Sequence, residues 1–197
     1  MSDTAERSRN PRGEGSRLRG DLLDAAADLI AETGDVVSLR AIAARAGVSP
    51  TAVYAHFDDH LELLRAAVVH CWEEFAATLA AGVDGIADPF EAFRASGQAY
   101  LRFAEEQPGK YRVLFANQVD LGVDKAVGAA AFDHLVAGVT AVLEARRDPR
   151  DPYFVAIQVH TWTHGIVDLT LRHEPPGWPT RQELFDDLAV RLGLVAA

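Results

Sequence analysis

Apolar residues recur along this chain at spacings of three and four, the period of an amphipathic helix. Leu18, Leu22, Ala25, Ala26, Leu29 and Ile30 form the first stripe, and Thr33-Gly34 supplies a helix end. Ile42, Ala43 and Ala46 mark a short second helix. Gly47 then offers the positive φ of a sharp reversal, and Ser49-Pro50 offers a new cap and first turn. With Val53 turned inward, Thr51, Ala52, Tyr54 and His56 face outward. Asp59 and Glu62 open a long helix over about 60–82, striped by Leu61, Leu64, Val68, Trp72, Phe75 and Leu79.

The second half continues in the same way. Asp88-Pro89-Phe90-Glu91 starts a helix carrying Phe93, Tyr100, Leu101 and Ala104, broken at Pro108-Gly109. Tyr111, Leu114 and Phe115 predict a short helix. Asp124 caps a helix over about 125–146 that is rich in Ala and Gly, which suits close approach of another helix. The segment 152–173 carries two stripes. Val155, Val159, Trp162, Ile166 and Leu169 share one side; Ile157, His160, His164, Asp168 and Leu171 share the other. A helix apolar on both sides is sandwiched, so one face packs within its own subunit and the other against a symmetry mate. Thr180 and Glu183 form a capping box for a last helix with Leu184, Leu188 and Leu192. The pattern predicts an all-α chain.

The segment from Ser38 to Phe57 has the layout of a helix-turn-helix, whose second helix enters the DNA major groove. Its sequence, continued through Tyr54-Ala55-His56-Phe57 to Leu64, resembles the DNA-binding domain of the tetracycline-repressor (TetR) family over about residues 17–64. The resemblance implies roles by position. Ser38 and Arg40 meet phosphate or a base edge, Pro50, Thr51 and Ala52 face bases beside the capping Ser49, and Tyr54 and His56 hold phosphates, while Arg17 at the start of the first helix is placed to reach a phosphate. Many family members carry Lys where this chain has His60. Its phosphate contact is therefore expected to weaken above about pH 6.5. Trp162-Thr163-His164-Gly165 resembles the Trp-x-His-Gly signature of one group of TetR-like C-terminal domains.

Composition changes this picture in two places. The net charge of −10 argues against non-specific DNA binding, and the positive charge is local: five Arg stand against three acidic residues in the first 20 positions. Cys71 is the only cysteine, which excludes an internal disulfide and fits a reducing cytoplasm. No signal-peptide pattern and no apolar run near the roughly 20 residues of a membrane span is evident.

His160, His164 and Asp168, spaced by four, are the one constellation with metal chemistry in prospect, and a small metal-dependent hydrolase is the rival reading. A ligand-sequestering dimer without DNA binding is another. The resemblance instead implies a cavity for a small, largely apolar effector, lined by Trp72, Phe75, Phe93, Tyr100, Phe103, Tyr111, Phe115, His160 and His164, with Gln98 and Asn117 as further polar candidates. The homodimer seam is expected at Ala130, Leu135, Val139, Val155, Val159, Trp162, Ile166 and Leu169. The expectation is thus a disordered arm at 1–16, a three-helix DNA-binding domain at 17–60, and a helical effector-binding and dimerisation domain at 61–197. It is a DNA-binding regulator, a repressor rather than an activator, with no cofactor, metal or membrane partner.

Overall fold

The computed structural model describes residues 14–115, 121–123, 126–172 and 176–195, with side chains from residue 17 and without that of Arg172. Asn117 and the expected cap Asp124 lie outside these residues. The helices are α1 (Glu14–Thr33), α2 (Leu39–Arg45), α3 (Pro50–Val53), α4 (His60–Val83), α5 (Pro89–Glu106), α6 (Pro108–Phe115), α7 (Ala126–Arg146), α8 (Pro152–Arg172) and α9 (Arg181–Arg191). No strand occurs among the described residues. The helix begins at Glu14, so the last three positions of the expected disordered arm are helical.

Local chemistry explains the boundaries. Ser38 Oγ accepts a hydrogen bond from the Ala41 N–H, and Ser49 Oγ accepts one from Ala52. Asp59 Oδ1 accepts from Glu62 N–H at 2.8 Å, and Asp88 Oδ1 from both Phe90 and Glu91. The Thr180–Glu183 capping box is complete in both directions. Each such cap contributes about 1 kcal/mol by satisfying N–H groups the helix leaves open. At the end of α2, the Val48 N–H reaches the Ala43 carbonyl and the Gly47 N–H reaches Ala44, with Gly47 at φ +71°. This Schellman arrangement needs the left-handed conformation that glycine takes without a Cβ clash.

Two apolar cores result. The N-terminal one joins Leu22, Ala26 and Ile30 of α1 to Ile42, Ala43, Val53 and Phe57, and it is completed by Leu63, Leu64 and Ala67 of α4. The second gathers Cys71, Phe75 and Leu79 from the same α4 with α5, α6, α7, α8 and α9. One continuous helix therefore supplies both cores.

Helix α8 departs from the expected division of faces. Val155 and Val159 are buried inside their own subunit, together with Ala156, Thr163 and Val167. The exposed face carries Phe154, Ile157, Trp162 and Leu169 instead, so the apolar stripe splits and Ile157 belongs outside. A 3.6-residue period gives neighbours on a face but not which of two apolar faces is covered by the same chain.

Candidate nucleic-acid interface and core cavity

The α2–turn–α3 segment holds its outward residues by burying the inward ones. Val53 is fully buried, a contribution of about 2 kcal/mol, and it fixes the rotation of α3. Thr51 and Tyr54 are then exposed, as are Ser38, Arg40, Ser49 and Pro50; Ala52 and His56 are half-buried. Ser38 and Ser49 spend their side-chain oxygens on capping. Arg17 is exposed at the start of α1, whereas the Arg19 guanidinium stands 5.0 Å over the Phe57 ring. Arg45 pairs with Glu32 through both carboxylate oxygens, at 3.1 and 2.8 Å, and ties α2 to α1.

His60 takes a different position from the expected phosphate ligand. Its Nε2 lies 2.6 Å from the Val37 carbonyl, so the ring braces the loop before α2 against the start of α4. Sequence spacing gave no sign of this bond between residues 37 and 60.

In the second core, α4, α5, α6, α7, α8 and α9 line a partly open cavity of about 80 Å³. Six of the expected residues line it: Trp72, Phe75, Phe93, Tyr100, Phe115 and His160. Phe75 sits among edge-on rings, with centroids 6.0 Å from Trp72, 5.4 Å from Tyr100 and 5.7 Å from Phe115. Three expected residues stand elsewhere. Phe103 is buried behind Phe75. Tyr111 and His164 form a second row, in which the Tyr111 hydroxyl joins Tyr100 at 2.9 Å and His164 Nδ1 at 2.8 Å. Gln98 is exposed and outside the wall.

The sequence reading missed Ser96, Phe132, His134, Thr163 and Phe185, which also line the cavity. Phe132 was visible as an aromatic on a helix of small residues; Thr163 carried no signal except its place between His160 and His164.

The polar groups are tuned by burial. Desolvation pushes the Tyr111 phenol up to about 12, and Tyr100 further still, so both remain protonated donors. His160 is held below its usual value, first by burial and then by the neighbouring His164, so the ring facing the cavity is neutral at pH 7. Burial also pushes the Cys71 thiol up to about 12, which leaves it unreactive core filling.

The metal-site alternative fares differently. His160 and His164 stack at 6.0 Å between centroids, and His164 Nδ1 is given to Tyr111. Among the described residues, the group with ligand atoms mutually within 4.8 Å is Asp24, His70 and Glu74. An ammonium already sits in it: Lys110 Nζ donates to Asp24 at 2.7 Å and to Glu74 at 2.5 Å. Burial disfavours this charge, yet the bonds to Asp24 and Glu74 raise the Lys110 pKa. The cluster joins α1, α4 and α6.

Of the expected seam residues, Val139, Val155 and Val159 are buried within the subunit, and Leu135 lines the cavity. Ala130, Trp162 and Leu169 are exposed, and Ile166 is half-buried. Tyr153, Phe154 and Ile157 extend that outer face.

Comparison with known proteins agrees with this architecture. Residues 22–67 match the model for bacterial regulatory proteins of the tetR family, and residues 93–192 match a tetracyclin repressor-like C-terminal domain. The HTH-type transcriptional activator FasR of Mycolicibacterium smegmatis is 31% identical over 128 residues, 59% of this chain and 58% of that protein. The chain thus spans less than two thirds of the length of the curated relatives it matches. A solved protein of unknown function from Rhodococcus sp. RHA1 superposes with a TM-score of 0.75 at 27% identity, covering 95% of this chain and 97% of the other. A TetR-like transcriptional regulator from the same organism gives 0.71 at 23%, covering 93% and 97%. With a helix-turn-helix head and a helical C-terminal half each matched in turn, the chain belongs to the tetR family of bacterial transcription regulators.

Proposed function

We propose that this chain is a homodimeric, DNA-binding transcription regulator whose affinity for its operator is set by a small molecule in the cavity of the second core. The observation that carries the DNA reading is the α2–α3 pair, with Val53 inside and Thr51 and Tyr54 outside. Thr51 offers a hydroxyl and a methyl to base edges, and Tyr54, Arg40 and Arg17 reach phosphates. Selection from randomised duplex DNA recovers a two-half-site operator. The variant Tyr54→Phe weakens all sites alike, whereas Thr51→Ala relaxes preference at one base pair by about 1–3 kcal/mol. Recovery of no enriched sequence refutes this reading.

The second copy is argued from α7 and α8. Their outer face is apolar, with Phe154, Ile157, Trp162 and Leu169 on α8 and Ala130, Ala137 and Ala141 on α7. A Cβ added at Gly138 or Gly165 meets nothing within 4 Å, so both positions leave room for a closely approaching helix. Two copies pairing here form a four-helix seam, and the reading helices must then lie roughly 34–36 Å apart to use successive major grooves.

Coupling follows from shared elements. Helix α4 supports the head through Leu63 and Leu64 and lines the cavity through Trp72 and Phe75. On α6, Lys110 grips α1 while the adjacent Tyr111 holds His164 and Tyr100. A ligand that shifts Tyr100 or Phe115 therefore biases the setting of the head, and a ligand favouring the wrong spacing removes the dimer from DNA. Repression follows where the operator overlaps a promoter; FasR carries the name of an activator.

A further inference from the structure

Thr163 is buried, lines the cavity, and has no hydrogen-bond partner for its Oγ1 among the described residues. The other helical threonines that are buried or half-buried show what is unusual. Thr78, Thr140 and Thr170 each donate to the carbonyl four residues back, at 2.9, 2.7 and 2.7 Å. Thr163, on the same kind of helix, makes no such bond. A buried hydroxyl without a partner is destabilising, and it is tolerated where a ligand supplies the partner.

One turn earlier, His160 also faces the cavity. It contacts Phe115, Phe132 and His164 through its ring and makes no hydrogen bond among the described residues. Two open polar groups on one face of α8 stand opposite a largely aromatic wall, in which Ser96 and His134 are further polar side chains. None of the described lining residues is Asp, Glu, Lys or Arg. A carboxylate or ammonium entering this wall would lose its hydration without gaining a counter-charge. Burial keeps His160 uncharged, which fits the same conclusion.

We propose that the cavity takes a small uncharged ring compound bearing one hydroxyl or carbonyl oxygen, and that Thr163 Oγ1 is the group that bonds this oxygen. This rests on the effector-cavity reading above. His160 stands beside the same oxygen and offers a ring N–H or a lone pair according to its tautomer.

The test uses the isosteric pair p-cresol and p-xylene, which differ by a hydroxyl in place of a methyl, with 4-methylbenzoate as the anion. Calorimetric titration of the full chain gives a Kd for each. In Thr163→Val, which keeps the shape and removes the hydroxyl, the ratio of the p-cresol Kd to the p-xylene Kd rises about fivefold, the worth of one hydrogen bond. In Thr163→Ser the ratio stays at the wild-type value. The anion binds more weakly than p-cresol to every form. An unchanged ratio in Thr163→Val overturns the Thr163 assignment and leaves the cavity reading standing. Tighter binding of 4-methylbenzoate than of p-cresol overturns the uncharged class. Failure of both neutral probes to bind the wild-type chain overturns the cavity reading itself, and the inference with it.

Discussion

A Cβ built on Gly97 falls 1.9 Å from Phe185 Cζ, closer than atoms can approach. The glycine in α5 leaves room for the Phe185 ring to stack on Phe93 at 6.0 Å, where both rings line the cavity. Gly97→Ala is expected to destabilise the fold by about 1–3 kcal/mol through overpacking, and Phe185→Leu in the same chain recovers part of the loss. Thermal unfolding of the three variants checks this. Nothing in the sequence showed the constraint, because Phe185 of α9 meets Gly97 of α5 only after the chain has folded back through the three helices between them.

His160 makes a second residue-scale prediction. Its folded pKa lies below the unfolded value of about 6.5. As pH falls through that value, the unfolded chain takes up a proton that the folded ring resists, so stability present at pH 7.5 is lost toward pH 5.5. His160→Gln removes this contribution, and its melting temperature falls less over the same interval. Equal slopes for the two proteins would contradict the burial argument.

Among elements, what the sequence made legible was local. Ser49, Asp59, Asp88 and Thr180 each cap the helix they precede, because a cap depends on residues within one turn; Ser38, expected only as a DNA contact, caps α2 as well. The faces of α8 were not legible. Both sides are apolar, and which is buried depends on where α7 and α9 happen to cross. The cavity wall was half legible: its aromatics stand out in the sequence, but its open hydroxyl at Thr163 does not. The tie between α6 and the head was invisible, since Lys110, Asp24 and Glu74 are far apart in the chain. At this scale Lys110→Met leaves two carboxylates facing each other and costs about 1–2 kcal/mol, a figure reduced by the exposure of Asp24. It also shrinks the change in operator affinity that a cavity ligand produces. Asp24→Asn combined with Lys110→Met restores the stability but not the response. Thermal melting and DNA-binding titrations with and without ligand separate the two effects.

For the whole molecule, the outer face of α7 and α8 is the main feature left open. Helix α7 is long and apolar enough by length and composition to cross a membrane, with only 17% of its most apolar window buried; the expectation that no run approached that length overlooked it. The proposed pairing of two copies would cover the same surface, since α8 contributes Phe154, Ile157 and Trp162 beside it. Trp162→Glu places a charge in that seam and is expected to give a folded monomer in sedimentation, with operator affinity lowered at least a hundredfold because one head holds half the contacts. A variant that remained dimeric would move the seam elsewhere.

The shared ownership of α4 has a practical corollary for anyone building hybrid sensors. A graft that separated the head from its neighbour at residue 60 would strip it of Leu63, Leu64 and Ala67, and the excised piece would carry an open apolar floor. The workable splice lies between Ala67 and Cys71, where one helix passes from the inside of one module to the inside of the next.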